Sequence, residues 1–434
     1  MQDKPSYPLI TLLVFTLLIF RIMLGIWTNF AHEDYIQIYL LGLENAYSGL
    51  WSYWGPEIVW SQTRLPGAMQ GLLAGLPLRV TGSAYAPIIF SNLISAAGLI
   101  LMAFYSKKRF PRLSIEFLLI LFLLLPFCLF NGTVLLNTAY LILSGAVLFI
   151  AVAELFLYRE ELIFKDPSYY FLGMGMALLF TYQLHLTWVM FLPFIFVLLY
   201  FEWKRKEISL GKLLLYLGLG MMLTGVTLIP TIWTYASEMF MNSEGNLTFQ
   251  PERFGRIFDL LARYFSMAIF DITPDFDVID LAMKKSLLVK SLVWVLKAVS
   301  ILHFILLALY LFRLRKSTVV QKTLLLFLLT LIMSLCLFVL GNKHLSARTY
   351  ILLYPIPVWL SLYVYQELFQ YDWVKKTVLT CLGLVFLTFT SIGLMNRGDI
   401  YSFEYKIDDI EKAMQERNPG AFSERRATLM DEFK

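Results

Sequence analysis

The first residues able to do chemistry are two adjacent carboxylates, Glu33 and Asp34, which directly follow a long apolar run. A carboxylate at the end of a membrane helix can meet both a lipid and a water-soluble substrate, and it can accept a proton from an attacking hydroxyl. Acidic residues in the first turn of a helix are also favoured for structure alone, because they face the positive end of the helix dipole. The pair is therefore a candidate general base, with stabilisation of a helix start as the plainer alternative.

A second set of candidates is basic and lies late in the chain, in the segment GNKHLSARTYILLYPIPVWL. It contains Lys343, His344 and Arg348. A guanidinium can pair with two phosphate oxygens at once, which suits Arg348 to phosphate binding, whereas snorkelling to the membrane surface is the alternative explanation. Together, the carboxylates could take the proton of an acceptor hydroxyl while Arg348 stabilises the charge on a departing lipid phosphate.

Further side chains in neighbouring segments could contact the same substrate. They are His32, Gln37, Arg64, His185 and Arg256. For the histidines, a polar side chain that is satisfied within the protein is the commoner outcome. Arg256 belongs to a basic row with Arg253 and Arg263. Such a row is typical of a solvated or headgroup-facing surface, and a contact with a lipid phosphate is the alternative.

Signatures of metal and nucleotide sites are absent from the sequence. No cluster of His, Cys and carboxylate residues has metal-ligand spacing, and there is no glycine-rich phosphate loop or nucleophile elbow. The cysteines, Cys128, Cys336 and Cys381, lie in apolar runs and are expected to be packing residues. We therefore predict neither a metal nor another cofactor.

The elements that must position these residues are strongly apolar. Of 434 residues, 59% are hydrophobic and 15% are charged, and the mean hydropathy is +0.68. This composition is typical of an integral membrane protein, and the net charge of +5 comes from short clusters between apolar runs, so nucleic acid is not an expected partner. We predict an all-α polytopic membrane protein with about 11 transmembrane helices. The predicted spans are residues 7–27, 84–105, 114–130, 134–157, 168–185, 187–201, 212–233, 289–312, 321–340, 347–367 and 376–395.

The distribution of Lys and Arg predicts which loops face the cytoplasm. Alternate loops such as KKRFPR, EWKRKEISLGK and FRLRKSTVVQK are rich in basic residues, whereas NGTVLLN and TYQLHLT have none. Loops of the first kind are expected in the cytoplasm. The acidic pair and the GNKHLSART segment then lie together on the outer face. Arg21, within the first span, is expected to face the bundle or to snorkel outward.

Two long outer loops are predicted to contain helices that lie along the membrane surface. In the first outer loop, residues 28–83, Gln37 and Glu44 share a helix face with Glu33, and a second helix is expected within QTRLPGAMQGLLAGL. In the fourth outer loop, residues 234–288, apolar residues recur at helical spacing from Phe254 to Ile269. The predicted organisation is one transmembrane domain over residues 1–396 and a short outer-face tail over 397–434.

These features resemble the integral membrane glycosyltransferases of the GT-C class. The order of first span, acidic pair, surface helix, aromatic and proline-containing segment and many further spans is similar to the branch of protein mannosyltransferases and aminoarabinose transferases, whose first outer loop has an Asp-Glu pair. The segment SARTYILLYPIPVWLSLYV is similar to the Arg-Tyr-x-x-x-x-x-Pro segment of that branch, with Thr349 between Arg348 and Tyr350.

This resemblance implies a chemistry as well as a fold. It implies a polyprenyl-phosphate sugar donor, an inverting transfer and no metal requirement. By position, it implies that Glu33 or Asp34 is the base, and that Arg348 lies at the donor phosphate with Lys343 and His344 beside it.

The expected function is transfer of a sugar from a polyprenyl phosphate to a hydroxyl of a glycan, a lipid or a protein. The expected place is the periplasmic face of a bacterial inner membrane, with membrane lipids as further partners. A polymerase or ligase of lipid-linked glycans stays open as an alternative, because it also combines many spans with outer basic residues, but it would use a diphosphate donor and would not need the acidic pair. A transporter would need a polar row through the middle of the membrane.

Overall fold

Helices dominate the computed structural model, which describes residues 7–28, 33–48, 51–58, 63–241, 249–256, 258, 270, 283–340 and 347–415. The helices are α1 (Tyr7–Thr28), α2 (Glu33–Leu43), α3 (Met69–Thr81), α4 (Ala86–Arg109), α5 (Ile115–Leu123), α6 (Pro126–Thr133), α7 (Asn137–Val152), α8 (Ser168–Tyr182), α9 (Phe191–Arg205), α10 (Leu210–Gly225), α11 (Ile229–Met241), α12 (Leu287–Leu314), α13 (Thr318–Leu340), α14 (Pro355–Leu368) and α15 (Asp372–Gln415).

Shorter elements connect these helices. The π-helical turns are Glu44–Ser48 and Ala153–Leu157, and the 3-10 turns are Arg159–Glu161, Leu186–Met190, Val226–Leu228, Pro251–Arg256 and Ala347–Leu353. Between α2 and α3, strands β1 (Trp54–Ile58) and β2 (Thr63–Pro66) pair in antiparallel fashion. The register places Glu57 opposite Arg64 and Trp54 opposite Pro66.

The polytopic all-α fold that the sequence predicts is confirmed. In the described part of the chain, eight helices are long and apolar enough to cross a membrane, or nine if the bent pair α5 and α6 is one span. The exact count of eleven is not confirmed. Each predicted span falls on a helix or a helix pair, but α8 has 15 residues and α14 has 14. At a rise of about 1.5 Å per residue, both are shorter than a bilayer core of about 30 Å.

The third predicted span, residues 114–130, is a broken helix. α5 ends at Leu123, α6 begins at Pro126, and the two axes differ by 56°. Proline ends the preceding helix because it has no amide hydrogen and its ring clashes with the preceding turn. A break within a membrane span leaves backbone carbonyls without hydrogen-bond donors from their own helix. Other groups of the protein must therefore donate to these carbonyls.

The first outer loop contains the two helices that the sequence predicts, α2 and α3, but α2 is not an exposed surface helix. Every residue from Tyr35 to Leu43 is buried, and Gln37 is only 7% exposed. Residues of α2 pack with Ala74 and Leu78 of α3 and with Ile88 of α4. The prediction of an open polar face along Gln37 and Glu44 is therefore wrong. The helices α3 and α4 cover α2, and Glu44 begins a π-helical turn.

In the fourth outer loop, the described residues include a 3-10 turn, Pro251–Arg256, which overlaps the start of the predicted helix at Phe254. Residue 257 and residues 259–269 lie outside the described part of the chain, so the helix predicted up to Ile269 is not tested there. The prediction that this basic row faces solvent or lipid headgroups is wrong for Arg253. Its side chain is 9% exposed and donates to the carbonyl of Phe338 at 2.9 Å. The boundary predicted after residue 396 falls within α15, which continues to Gln415.

Ionic networks join the helices at the end of the bundle that carries the basic loops. Glu154, in the π-helical turn after α7, is fully buried and accepts hydrogen bonds from Arg109, from the Tyr105 and Tyr170 hydroxyls and from the Ile163 amide. These contacts explain how one spanning segment can end in a buried carboxylate, since each oxygen has donors.

A second network at the same end links two further loops. Arg159 donates to Glu202 of α9 at 2.8 Å and to Glu207 at 2.6 Å. Lys212 of α10 contacts Asp166 at 2.6 Å. The Lys- and Arg-rich loops that predict the cytoplasmic side therefore meet at one end of the bundle. We call this the basic end.

Candidate functional site

The candidate site lies at the other end of the bundle, where α2 begins. We call this the α2 end, defined by the first turn of α2, residues 134–136, the turn around His185 and the 3-10 turn Ala347–Leu353. These four segments are far apart in sequence. Their mutual contacts decide whether the predicted site residues can act together.

The start of α2 rests on the loop between α6 and α7. Tyr35, the residue after Asp34, packs with Val134 and Leu136. Leu135, between them, joins the apolar cluster of α2, α3 and α4. Three consecutive residues of this loop thus contact the α2 region, and they fix the backbone that carries the acidic pair.

The same loop contacts the turn between α8 and the 3-10 segment Leu186–Met190. Asn137, the first residue of α7, donates through its side-chain amide to the carbonyl of Leu184 at 2.9 Å. The residue after Leu184 is His185, which is half-buried. It caps the 3-10 turn, since its Nδ1 accepts from the Thr187 amide at 3.2 Å. Its Nδ1 therefore has a structural role, and its contact with a substrate stays a prediction.

The 3-10 turn Ala347–Leu353 carries the backbone of Arg348 to this end. Its position is set by α7, because the Leu352 carbonyl lies so close to Gly145 that a Cβ there would come within 2.7 Å of it. The Tyr350 hydroxyl donates to the Ser334 carbonyl of α13 at 3.4 Å. The turn also contacts the 3-10 segment Leu186–Met190, which follows His185.

Arg64 lies in the β hairpin of the first outer loop, and its side chain is exposed. The hairpin is attached to α8 and α11. The Thr231 hydroxyl donates to the Tyr53 carbonyl at 2.7 Å, and Gly67, at φ 101°, lies against the side chain of Gln183. The hairpin also contacts α2 through β1. The predicted contact of Arg64 with a substrate stays a prediction.

The remaining candidates fall outside the described residues in whole or in part. His32, Lys343 and His344 lie outside them entirely. For Glu33, Asp34, Arg348 and Arg256 the structure describes the helical backbone but not the side chain. The roles of all seven therefore stay predictions, and what the structure adds is the position of their backbones.

Two buried polar residues support this end of the bundle and are missing from the sequence-based site. Gln183 donates to the Thr224 carbonyl at 2.9 Å and accepts from the Thr227 hydroxyl at 2.8 Å, which links α8 to α10 and to the turn after it. Arg21 is fully buried between α1, α4 and the broken α5 and α6. Arg21 is visible in the sequence as a charge in an apolar run, but three of its four acceptors are backbone carbonyls, which no residue type reveals.

Comparison with known proteins identifies the fold. No family model matches the chain, and no curated protein matches it. Among solved structures, the chain is similar to the crystal structure of ArnT from Cupriavidus metallidurans bound to undecaprenyl phosphate. The TM-score is 0.55 at 10% sequence identity, with 96% of this chain and 82% of that chain covered. The chain therefore has a fold of the GT-C class and is a multi-pass membrane protein. At this identity, the likeness concerns the fold alone.

Proposed function

We propose that this protein is a glycosyltransferase that moves a sugar from a polyprenyl-phosphate carrier to an acceptor hydroxyl. The observation that carries the proposal is the fold shared over 96% of the chain with a protein whose structure contains undecaprenyl phosphate. It is supported by the contacts at the α2 end, where the segments that contain the acidic pair and Arg348 are connected through residues 134–137 and the chain around His185.

The proposed reaction assigns one role to each set of residues. Glu33 or Asp34 accepts the proton of the acceptor hydroxyl as its oxygen attacks the anomeric carbon. The bond between that carbon and the phosphate oxygen breaks on the opposite face of the sugar, which inverts the anomeric configuration. Arg348, with Lys343 and His344 beside it, stabilises the negative charge that the phosphate takes with it. The products are the glycosylated acceptor and the free polyprenyl phosphate.

The proposed location is a bacterial inner membrane, with the α2 end facing the periplasm. The support is the distribution of charge. Arg109, Arg159 and Lys212 meet at the basic end, and basic loops are typically cytoplasmic. An acceptor from the aqueous phase would then enter at the α2 end, and the polyprenyl chain would approach from the surrounding lipid.

The direct test is the identity of the carrier lipid. The protein is extracted into lipid nanodiscs, its co-purified lipids are identified by mass spectrometry, and binding of undecaprenyl phosphate and undecaprenyl diphosphate is compared. The proposal predicts that the monophosphate binds more tightly and that a glycosylated monophosphate co-purifies. Preference for the diphosphate would overturn it in favour of a polymerase or ligase of lipid-linked glycans. Binding of neither lipid would exclude both enzymes.

A further inference from the structure

Arg21 is a buried cation within the first span. It lies seven residues before Thr28, the last residue of α1, and its exposed fraction is 0%. In the described part of the chain, no carboxylate lies within ion-pair distance of it. A charge at such a place is expected only where other polar groups compensate it, so its partners indicate its role.

Its partners lie on both sides of the break between α5 and α6. Nη1 donates to the carbonyl of Leu123, the last residue of α5, at 3.0 Å. Nη2 lies 3.3 Å from the carbonyl of Cys128 and 3.4 Å from that of Gly132, both in α6. One guanidinium thus supplies donors to carbonyls of both halves of the broken span, which is the geometry that its planar fork allows.

Two polar residues of α4 complete this arrangement. Ser95 accepts from Arg21 Nη2 at 3.1 Å and donates to the Gly132 carbonyl at 2.6 Å. Asn92 donates to the Thr133 carbonyl at 2.7 Å. We call Arg21, Asn92 and Ser95 the α6 clamp. The last carbonyls of α6 have no donor in their own helix, and the clamp supplies donors to those of Gly132 and Thr133.

The clamp leads directly to the candidate site. α6 ends at Thr133, and the next three residues are the loop on which the start of α2 rests. The chain of contacts therefore runs from Arg21 to the end of α6, through Val134 and Leu136 to Tyr35, and from Tyr35 along the backbone to Asp34. The steps from Arg21 to Tyr35 are buried contacts and links along the chain, and the last step to Asp34 is along the backbone, so we expect a shift of α6 to move the start of α2.

We propose that Arg21 is a positioning residue, which holds the end of α6 and thereby sets the position of the carboxylates at the start of α2. The inference rests on the proposed function for the meaning of that position, but its geometric part can be tested without it. Arg21 itself does not touch the substrate. It acts on proton acceptance by the acidic pair, and not on binding of the lipid phosphate.

The test compares amide hydrogen exchange in wild type, Arg21→Met, Arg21→Lys and the matched control Arg79→Met, whose arginine is exposed on α3. In Arg21→Met, exchange in α6 and α2 is expected to rise by about tenfold or more, because hydrogen bonds from a charged donor are lost, with no change in α10 or the Ala153–Leu157 turn. Arg21→Lys keeps a cationic donor and should recover part of the protection. Arg79→Met should match wild type.

A second variant tests the same contact if Arg21→Met fails to fold. Asn92→Ala removes the donor to the Thr133 carbonyl, together with a hydrogen bond within α4 to the Ile88 carbonyl, and it should raise exchange in the same two segments. The positioning role would be overturned by unchanged exchange in both variants, or by faster exchange throughout the bundle, which would make Arg21 a residue of general stability.

Binding and turnover separate this inference from the proposed function. Arg21→Met should bind undecaprenyl phosphate as wild type does, and with the glycosylated lipid that co-purifies with wild type it should show a lower kcat at an unchanged KM. Loss of undecaprenyl phosphate binding in Arg21→Met alone would overturn the positioning role. Failure of wild type itself to bind that lipid would contradict the proposed function, and the exchange pattern would still decide whether the clamp fixes α2.

Discussion

Charged residues inside the bundle are each compensated by a different kind of partner. A charged side chain in the middle of a membrane costs about 2.5–3.5 kcal/mol on insertion scales, whereas a hydrogen bond to a charged group contributes about 1.5–3 kcal/mol. Arg21 reaches carbonyls and a hydroxyl, and Glu154 is surrounded by donors. By these magnitudes, two such bonds already offset the cost of burying either residue.

Substitution of Glu154 by Gln should destabilise the protein by about 3 kcal/mol, because the buried Arg109 guanidinium then keeps only the exposed Glu161 carboxylate, 3.8 Å away. The Arg109 side chain is only 7% exposed. The matched control is Glu160→Gln, an exposed carboxylate in the following turn, which should change stability by less than about 0.5 kcal/mol. Thermal unfolding in detergent measures both, and equal melting temperatures of the two variants would contradict the role given to Glu154.

At the scale of elements, the β hairpin depends on a close contact with α8. Gly67 has a φ of 101°, and a Cβ on it would come within 2.9 Å of the Gln183 Cγ and Cδ atoms. Gln183 cannot easily turn away, since it is fully buried and bonded to Thr224 and Thr227. The hairpin can therefore lie on α8 only through a residue without a side chain.

Gly67→Ala should lower the free energy of unfolding by about 1–3 kcal/mol more than Gly82→Ala does. Both glycines have positive φ, so both alanines share the cost of a left-handed backbone, of about 1–2 kcal/mol. Only the Cβ of an alanine at position 67 would contact another side chain, that of Gln183, since nothing lies within 4 Å of a Cβ at Gly82. Chemical unfolding of the two variants isolates the contact. Equal losses would show that the contact with Gln183 contributes nothing.

The connection between α8 and α10 should depend on pH through Asp166. The hydrogen bond from Lys212 lowers the pKa of the Asp166 carboxyl below its ordinary value. A carboxyl pKa that is lower in the folded state stabilises the fold above an ordinary value of about 4, and this contribution is lost as the pH falls through the folded pKa. Asp166→Asn should therefore lower the melting temperature at pH 7, and the difference from wild type should shrink below about pH 4. A difference that stays constant down to pH 3 would contradict the ion pair as its cause.

For the whole molecule, hydropathy and charge predict the fold well and its interruptions poorly. Each apolar run is long enough to be recognised, so all eleven predicted segments fall on helices. Runs of Leu and Phe do not show that α8 has only 15 residues, or that a 3-10 turn precedes α14. Pro126 is visible, yet the bend it accompanies depends on donors from α1 and α4.

The sequence predicts a set of candidate site residues but not their arrangement, and the roles of these residues stay predictions. An acidic pair after the first span and a basic segment before the late span at Pro355 are local patterns. The placement of their segments at one end of the bundle depends on contacts that are distant in sequence. Asn137 and Leu184 are 47 residues apart, and Tyr35 and Val134 are about a hundred residues apart. The burial of α2 was missed for the same reason, because the residues that cover it belong to α3, to α4 and to the loop after α6.

Parallel assays of lipid binding and sugar transfer distinguish the proposed role of Arg348 from that of the acidic pair. Affinity for undecaprenyl phosphate and sugar transfer are measured in parallel for wild type, Arg348→Met, the double variant Glu33→Gln with Asp34→Asn, and the control Arg79→Met. Because a charge-assisted bond to phosphate is lost, Arg348→Met should bind the lipid about tenfold or more weakly. The double variant should bind it at least as tightly as wild type and transfer nothing, whereas Arg79→Met should match wild type in both. Full transfer by the double variant, or wild-type lipid affinity in Arg348→Met, would contradict the account.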